Sequence, residues 1–383
     1  MNKPSDFRTL CVHAGELKDT KYGGSVSPLY PSTSYAFNDV DIKQYPRYFN
    51  TPNQRGLSKK IAALEGANEC LIFGSGMAAV STALLSHLKS GDHVIFQDDI
   101  YGGTRNFIKN EFPKYGIEYS FAKGLKVEDF KAQITSQTKG IYIESPSNPL
   151  LKIIDLRAIS ELAKSESLWT MIDNTFASPV NQKPIEHGID IVIHSATKYL
   201  AGHSDISAGV ILSSKSIIEK VFESAKNLGG NLSEYTVWLL ERSIKTLYLR
   251  VQAQNNNAAQ LSNFLQEQDW VEQVYYPGLE NHNGHETAKK QMSGFGGMLS
   301  FTLASGLDTK KFLLGLEMVK PTMSLAGVES TALSPRLTSH ALLSEEERQE
   351  QGITEQMIRF SSGIEAIEDI KTDILQSIFK ISR

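Results

Sequence analysis

From about residue 56, short and mostly apolar runs alternate with longer segments of helical spacing, and few folds accept that pattern. The runs fall at 70–73, 94–96, 141–143, 168–172, 189–193 and 209–212. Leu57, Ile61 and Leu64 repeat at helical intervals between them, and 77–88 reads as a helix stopped at Ser90-Gly91. A strand with no polar alternation has both faces buried, and strands separated by helices pair in parallel. The pattern therefore predicts an α/β fold with a mostly parallel central sheet covered on both sides.

The flanks differ. Residues up to about 50 are rich in Gly, Pro, Ser and Tyr and predict an extended arm. A long helical region is expected over 234–266, interrupted only at Asn255-Asn256-Asn257, followed by strands at 298–303 and 357–361. These readings divide the chain into an arm (1–55), a large α/β domain (56–245) and a smaller C-terminal α/β domain (246–383). At 383 residues, two domains are the ordinary expectation.

Composition narrows the function. There are 39 basic and 43 acidic side chains, a net charge of −4, so the totals ask for no nucleic-acid partner. The two cysteines, Cys11 and Cys70, are too few for a disulfide framework. No apolar run reaches membrane-spanning length, and residues 1–10 lack a signal core, which predicts a cytoplasmic protein without a membrane partner. Metal is not expected either, since the nine histidines show no HExxH spacing and no CxxC pair occurs.

Three of the apolar runs end in polar residues of chemical interest, at the strand edge where α/β sheets collect their ligands. Gly74-Ser75-Gly76 lies between a strand and a helix, where free N–H groups and the helix dipole bind an anion such as phosphate; a plain tight turn is the alternative. Asp173 follows one run and Lys198 another. A carboxylate there can keep a pyridine nitrogen protonated, and an amine can hold an aldehyde and then move a proton. A surface ion pair is the alternative. Ser195 and Thr197 can offer hydroxyls to a phosphate, and Tyr101 can stack on an aromatic cofactor or pack as a loop tyrosine.

The run Ser195-Ala196-Thr197-Lys198-Tyr199-Leu200-Ala201-Gly202-His203-Ser204-Asp205 resembles the lysine signature of the Cys/Met-metabolism pyridoxal-5′-phosphate (PLP) enzymes. So do Glu144-Ser145-Pro146-Ser147-Asn148-Pro149, Asp173-Asn174-Thr175-Phe176, Tyr101-Gly102-Gly103 and Arg359-Phe360-Ser361-Ser362-Gly363-Ile364-Glu365. The resemblance spans nearly the whole chain and implies an aspartate-aminotransferase-like fold of type I with bound PLP. It implies that Lys198 carries the cofactor as a Schiff base and shuttles a proton, with Asp173 on the pyridine nitrogen. Gly76, Met77, Ser195 and Thr197 would hold the phosphate, and Tyr101 would stack on the ring and assist proton transfer. Asn148 would sit between ring and substrate, and Arg359 would pair with the substrate carboxylate, with Ser324 beside it. Tyr45 and Arg47 would reach the phosphate of a neighbouring subunit, which implies a homodimer paired into a tetramer.

The implied activity is γ-replacement or elimination on cystathionine or O-acylhomoserine substrates. The alternatives are cystathionine β-lyase or O-acylhomoserine sulfhydrylase activity, and, in another class, a non-catalytic PLP-binding relative. Two departures bear on this choice. Met323 stands before Ser324-Leu325-Ala326-Gly327, where γ-enzymes often carry glutamate, and Gly103 stands where methionine γ-lyases usually have cysteine.

Overall fold

The computed structural model describes residues 6–338, 340–341 and 343–381. Its larger sheet has seven strands: β1 (Glu69–Phe73), β2 (His93–Gln97), β3 (Glu118–Ala122), β4 (Thr138–Glu144), β5 (Trp169–Asp173), β6 (Ile191–His194) and β7 (Gly209–Ser213). They lie in the order β1-β7-β6-β5-β4-β2-β3, and only β7 runs against its neighbours. The period-two rule explains why each run is apolar throughout. Ile95, Ile141, Ile143, Ile172 and Val192 pack on one face, while Val94, Phe96, Tyr142, Met171, Ile191 and Ile193 pack on the other. Each large apolar side chain buried this way stabilises the fold by about 1.5–3 kcal/mol.

The smaller sheet is antiparallel, in the order β10-β11-β9-β8, from β8 (Val271–Tyr275), β9 (Met298–Leu303), β10 (Thr331–Leu333) and β11 (Met357–Ser361). Leu299, Phe301, Leu303, Ile358 and Phe360 form its core with Leu261, Leu265, Ile370 and Ile374. Strands β3, β8 and β10 were not expected from sequence. Two are short edge strands of mixed polarity and the third spans three residues.

Two expectations need correction. The arm is not extended throughout: helix α1 (Phe7–His13) starts at Asp6, whose carboxylate accepts the Arg8 N–H at 2.9 Å. It docks on α2 (Pro52–Glu65), where the buried Lys60 ammonium donates to the carbonyls of Cys11 and Val12 at 3.0 and 2.9 Å. The helical region breaks at Lys245-Thr246, between helices Glu234–Ile244 and Leu247–Gln266, and runs unbroken through Asn255-Asn256-Asn257. Asn256 faces solvent, while Asn255 and Asn257 face protein. Asn257 donates to the carbonyls of Gly363 and Glu365, and Asn255 exchanges hydrogen bonds with Asn181. No described helix is long and apolar enough to cross a membrane.

Candidate active site

The carboxyl ends of β1, β4, β5 and β6 open on one cavity of about 450 Å³, which the smaller sheet closes with Arg359, Leu333 and the 323–325 segment. Gly76, Met77, Tyr101, Asn148, Asp173, Ser195, Thr197, Lys198, Ser324 and Arg359 all line it. Tyr45 and Arg47 do not. They sit on the arm, where Arg47 donates to the Lys226 carbonyl at 2.6 Å and lies over the rings of Tyr45 and Tyr48.

One wall is an anion cradle. Helix α3 (Gly76–His87) begins directly after β1, and its first-turn N–H groups have no helical carbonyl to bind. The Ser75 hydroxyl caps the turn by accepting the Ala78 N–H at 3.1 Å. A Cβ at Gly76 would lie 2.8 Å from that of Ser195, so only glycine lets the helix start meet the end of β6. Thr197 exchanges two hydrogen bonds with the Ala208 backbone, which fixes the turn leading to Lys198.

Asp173 ends β5 and is buried. The Thr175 N–H and hydroxyl both donate to its Oδ1, at 3.0 and 2.5 Å, and the Thr175 hydroxyl in turn accepts the Ser195 N–H at 2.8 Å. Burial pushes the Asp173 carboxyl up, against the Thr175 hydrogen bonds and the charges of His194 and Lys198. Thr175 was not singled out from sequence as a site residue, because its part depends on meeting the end of β6. His194 pairs with Glu65 at 2.8 Å in a buried contact, and His203 turns to the Ala201 carbonyl at 2.8 Å. Both histidines are structural.

Lys198 and Arg359 meet at Ser324. The Lys198 ammonium donates to the Ser324 hydroxyl at 2.7 Å, and Arg359 Nη2 donates to the Ser324 carbonyl at 2.9 Å. Arg359 Nη1 also donates to Asn148 Oδ1 at 3.1 Å. Ser324 has a left-handed backbone, φ 76°, which for a non-glycine residue costs on the order of 1–3 kcal/mol and persists only where surroundings impose it. Burial, reinforced by the Arg359 charge and opposed by Asp173, pushes the Lys198 amine down to about 8.

Comparison with known proteins identifies the family. The sequence profile of the Cys/Met metabolism PLP-dependent enzymes matches residues 8–379. This chain belongs to that family. It is 41% identical over 379 residues to a cystathionine β-lyase of Lactococcus lactis, covering 98% of this chain and 100% of the relative. It is also 41% identical over 377 residues to a cystathionine γ-lyase of Bacillus subtilis, covering 98% and 99%. The structure of a Lactobacillus plantarum cystathionine γ-lyase complexed with L-serine superposes with a TM-score of 0.95 at 35% identity, over 99% of this chain and 100% of the other. The α/β fold with its mostly parallel sheet is that of PLP-dependent enzymes, and this family member is a PLP-dependent lyase of sulfur amino-acid trans-sulfuration.

The residues fit the cofactor. The cradle at Gly76, Met77 and Ser195 suits a phosphate, and the buried Asp173, with Oδ1 engaged by Thr175, suits a protonated ring nitrogen. Bound PLP supplies an electron sink for charge developing at the substrate's α-carbon.

The lowered basicity of Lys198 has a measurable consequence. An amine adds to an aldehyde only in its neutral form. With its pKa near 8, the neutral fraction rises from about a tenth at pH 7 to about nine-tenths at pH 9. The rate at which cofactor-free protein takes up PLP should rise about tenfold over that interval and then level off. Stopped-flow absorbance reads it, and a rate still climbing steeply between pH 9 and 10 would contradict a perturbed lysine.

Proposed function

We propose that the chain cleaves the carbon–sulfur bond of cystathionine, with Lys198 removing the α-proton, Arg359 and Asn148 holding the α-carboxylate, and Tyr101 stacked on the cofactor. One observation carries this reading: Ser324 binds the Lys198 amine through its hydroxyl and the Arg359 guanidinium through its carbonyl. A carboxylate anchored at Arg359 thus brings its own α-carbon beside the base, a placement worth several kcal/mol of barrier in comparable systems. The rest of the amino acid then extends past Met323 and Tyr101, both exposed at the mouth.

Cleavage on the γ side is supported by the similarity to the Bacillus and Lactobacillus γ-lyases. Cleavage on the β side is a second reading, favoured by Met323. It is 71% exposed at the cavity mouth and offers no carboxylate to the distal ammonium. The similarity to the Lactococcus β-lyase points the same way.

A homodimer, paired again into a tetramer, completes the proposal, with Tyr45 and Arg47 serving the phosphate of the neighbouring site. The arm supports it by exposing Tyr22, Val26, Tyr30 and Phe37 along its length, more apolar surface than a lone chain usually shows.

The test is incubation of the PLP-loaded protein with cystathionine, followed by mass spectrometry of the products, with light scattering on the same sample. 2-Oxobutyrate with cysteine marks γ-cleavage, and pyruvate with homocysteine marks β-cleavage. Absence of any keto acid, or full activity in a monomer, would overturn the corresponding part of the reading.

A further inference from the structure

Glu144 is a buried carboxyl that the chemistry above leaves without a task, and it touches a helix start that the local sequence does not cap. Helix α4 (Gly102–Glu111) starts at Tyr101, which supplies no side-chain cap. Its first two helical residues are Gly102 and Gly103, which lose the most conformational freedom on ordering. Its third is Thr104, so no glutamate or glutamine can reach back to the Tyr101 N–H as in a capping box. Glu144 fills that part from the end of β4: its Oε2 accepts the Tyr101 N–H at 2.7 Å. The Asn148 backbone hydrogen-bonds the same carboxyl. The Tyr101 ring then folds over Gly103, where a Cβ would stand 2.5 Å from the ring.

We propose that Glu144 is a positioning residue for Tyr101, its carboxyl holding the start of α4 and so setting where the ring lies over the cavity. The proposal rests on the reading of Tyr101 as the ring that stacks on the cofactor. Glu144 does this beside a second buried carboxyl. It stands opposite Asp173 in the parallel β4–β5 register, so the two side chains leave the same face of the sheet. The groups that face it are Asp173 from β5, Asp99 from the loop after β2, Tyr142 from its own strand and Arg359 from β11. Burial first, then the Asp173 charge, push the Glu144 carboxyl well above the usual range, since two neighbouring buried carboxyls do not both ionise. Burial raises the Asp173 carboxyl as well, and the hydrogen bond from Tyr101 reaches Glu144 Oε2.

The experiment compares PLP-loaded wild type with Glu144→Gln, Glu144→Ala, Tyr101→Ala and the double variant Glu144→Ala/Tyr101→Ala. The readouts are the visible circular dichroism of the bound cofactor and its dissociation constant by equilibrium dialysis. Glu144→Gln keeps an acceptor oxygen and should match wild type in both. Glu144→Ala should alter the dichroism in the same sense as Tyr101→Ala and weaken cofactor binding roughly fivefold, the usual scale for a lost cap. The double variant should bind no more weakly than Tyr101→Ala alone, because both changes remove one interaction. If Glu144→Ala does not fold, Glu144→Leu replaces it, keeping the buried volume without the oxygens.

A Gln variant that behaves like the Ala variant, or single effects that multiply in the double variant, would overturn the proposal. If Tyr101→Ala changes the signal and Glu144→Ala does not, Glu144 alone loses its role. If Tyr101→Ala itself leaves both readouts unchanged, the reading of Tyr101 falls, and the proposal with it.

Discussion

Lys198→Ala is expected to lower turnover roughly a hundred- to ten-thousand-fold, the range in which a positioned acid–base group acts. The variant should still collect PLP in the cradle at Gly76, Met77 and Ser195, because those contacts do not involve the amine. Borohydride treatment followed by peptide mapping separates the two functions. Wild type should yield a reduced adduct on Lys198, and the variant should release its cofactor unlabelled. A label on another lysine in wild type, or full turnover in the variant, would remove the basis for the proposed reaction. The lysine suits both parts because burial and the Arg359 charge leave its pKa near 8, so a useful share of the amine is neutral at physiological pH.

Arg359→Leu is expected to reduce kcat/KM for an α-amino acid substrate by about 2–4 kcal/mol, roughly 30- to 700-fold, with most of the loss in KM. The guanidinium is buried and its pKa is pushed down to about 10 by that burial, so it remains a cation at neutral pH. Its two anchors, Asn148 Oδ1 and the Ser324 carbonyl, hold the planar fork toward the cavity, a geometry that lysine cannot reproduce. A second readout has a definite sign. The Arg359 charge lowers the Lys198 pKa, so removing it should move the midpoint of PLP uptake to higher pH. An unchanged KM together with an unchanged midpoint would place Arg359 outside the site's chemistry.

Much of this was legible in the chain itself. Residues at the ends of apolar runs, namely Gly76, Asp173, Ser195, Thr197 and Lys198, were readable as a group because a parallel sheet brings consecutive strand ends to one edge. Their strands lie in the order β1-β7-β6-β5, so the three ends share one edge although the chain visits them in another order. Thr175 and Glu144 were not readable as members of the site, although both lie inside the motifs that carried the resemblance. Their partners, Ser195 and Tyr101, are about 20 and 43 residues away, and neither pairing follows from strand polarity alone.

The apolar runs thus determined, without help from tertiary contacts, that a doubly covered sheet forms and which residues stand at its edge, because burial on both faces leaves no polar positions in a strand. Only the tertiary structure decided which of those residues meet. Ser324 reaches Lys198 from 126 positions away, on a strained turn that the surrounding contacts hold in place. The same is true of the Asn257 ties, the capping of Tyr101 by Glu144 and the docking of α1 on Lys60. A hydrogen bond between distant segments exists only after both are packed, and local spacing carries no record of it.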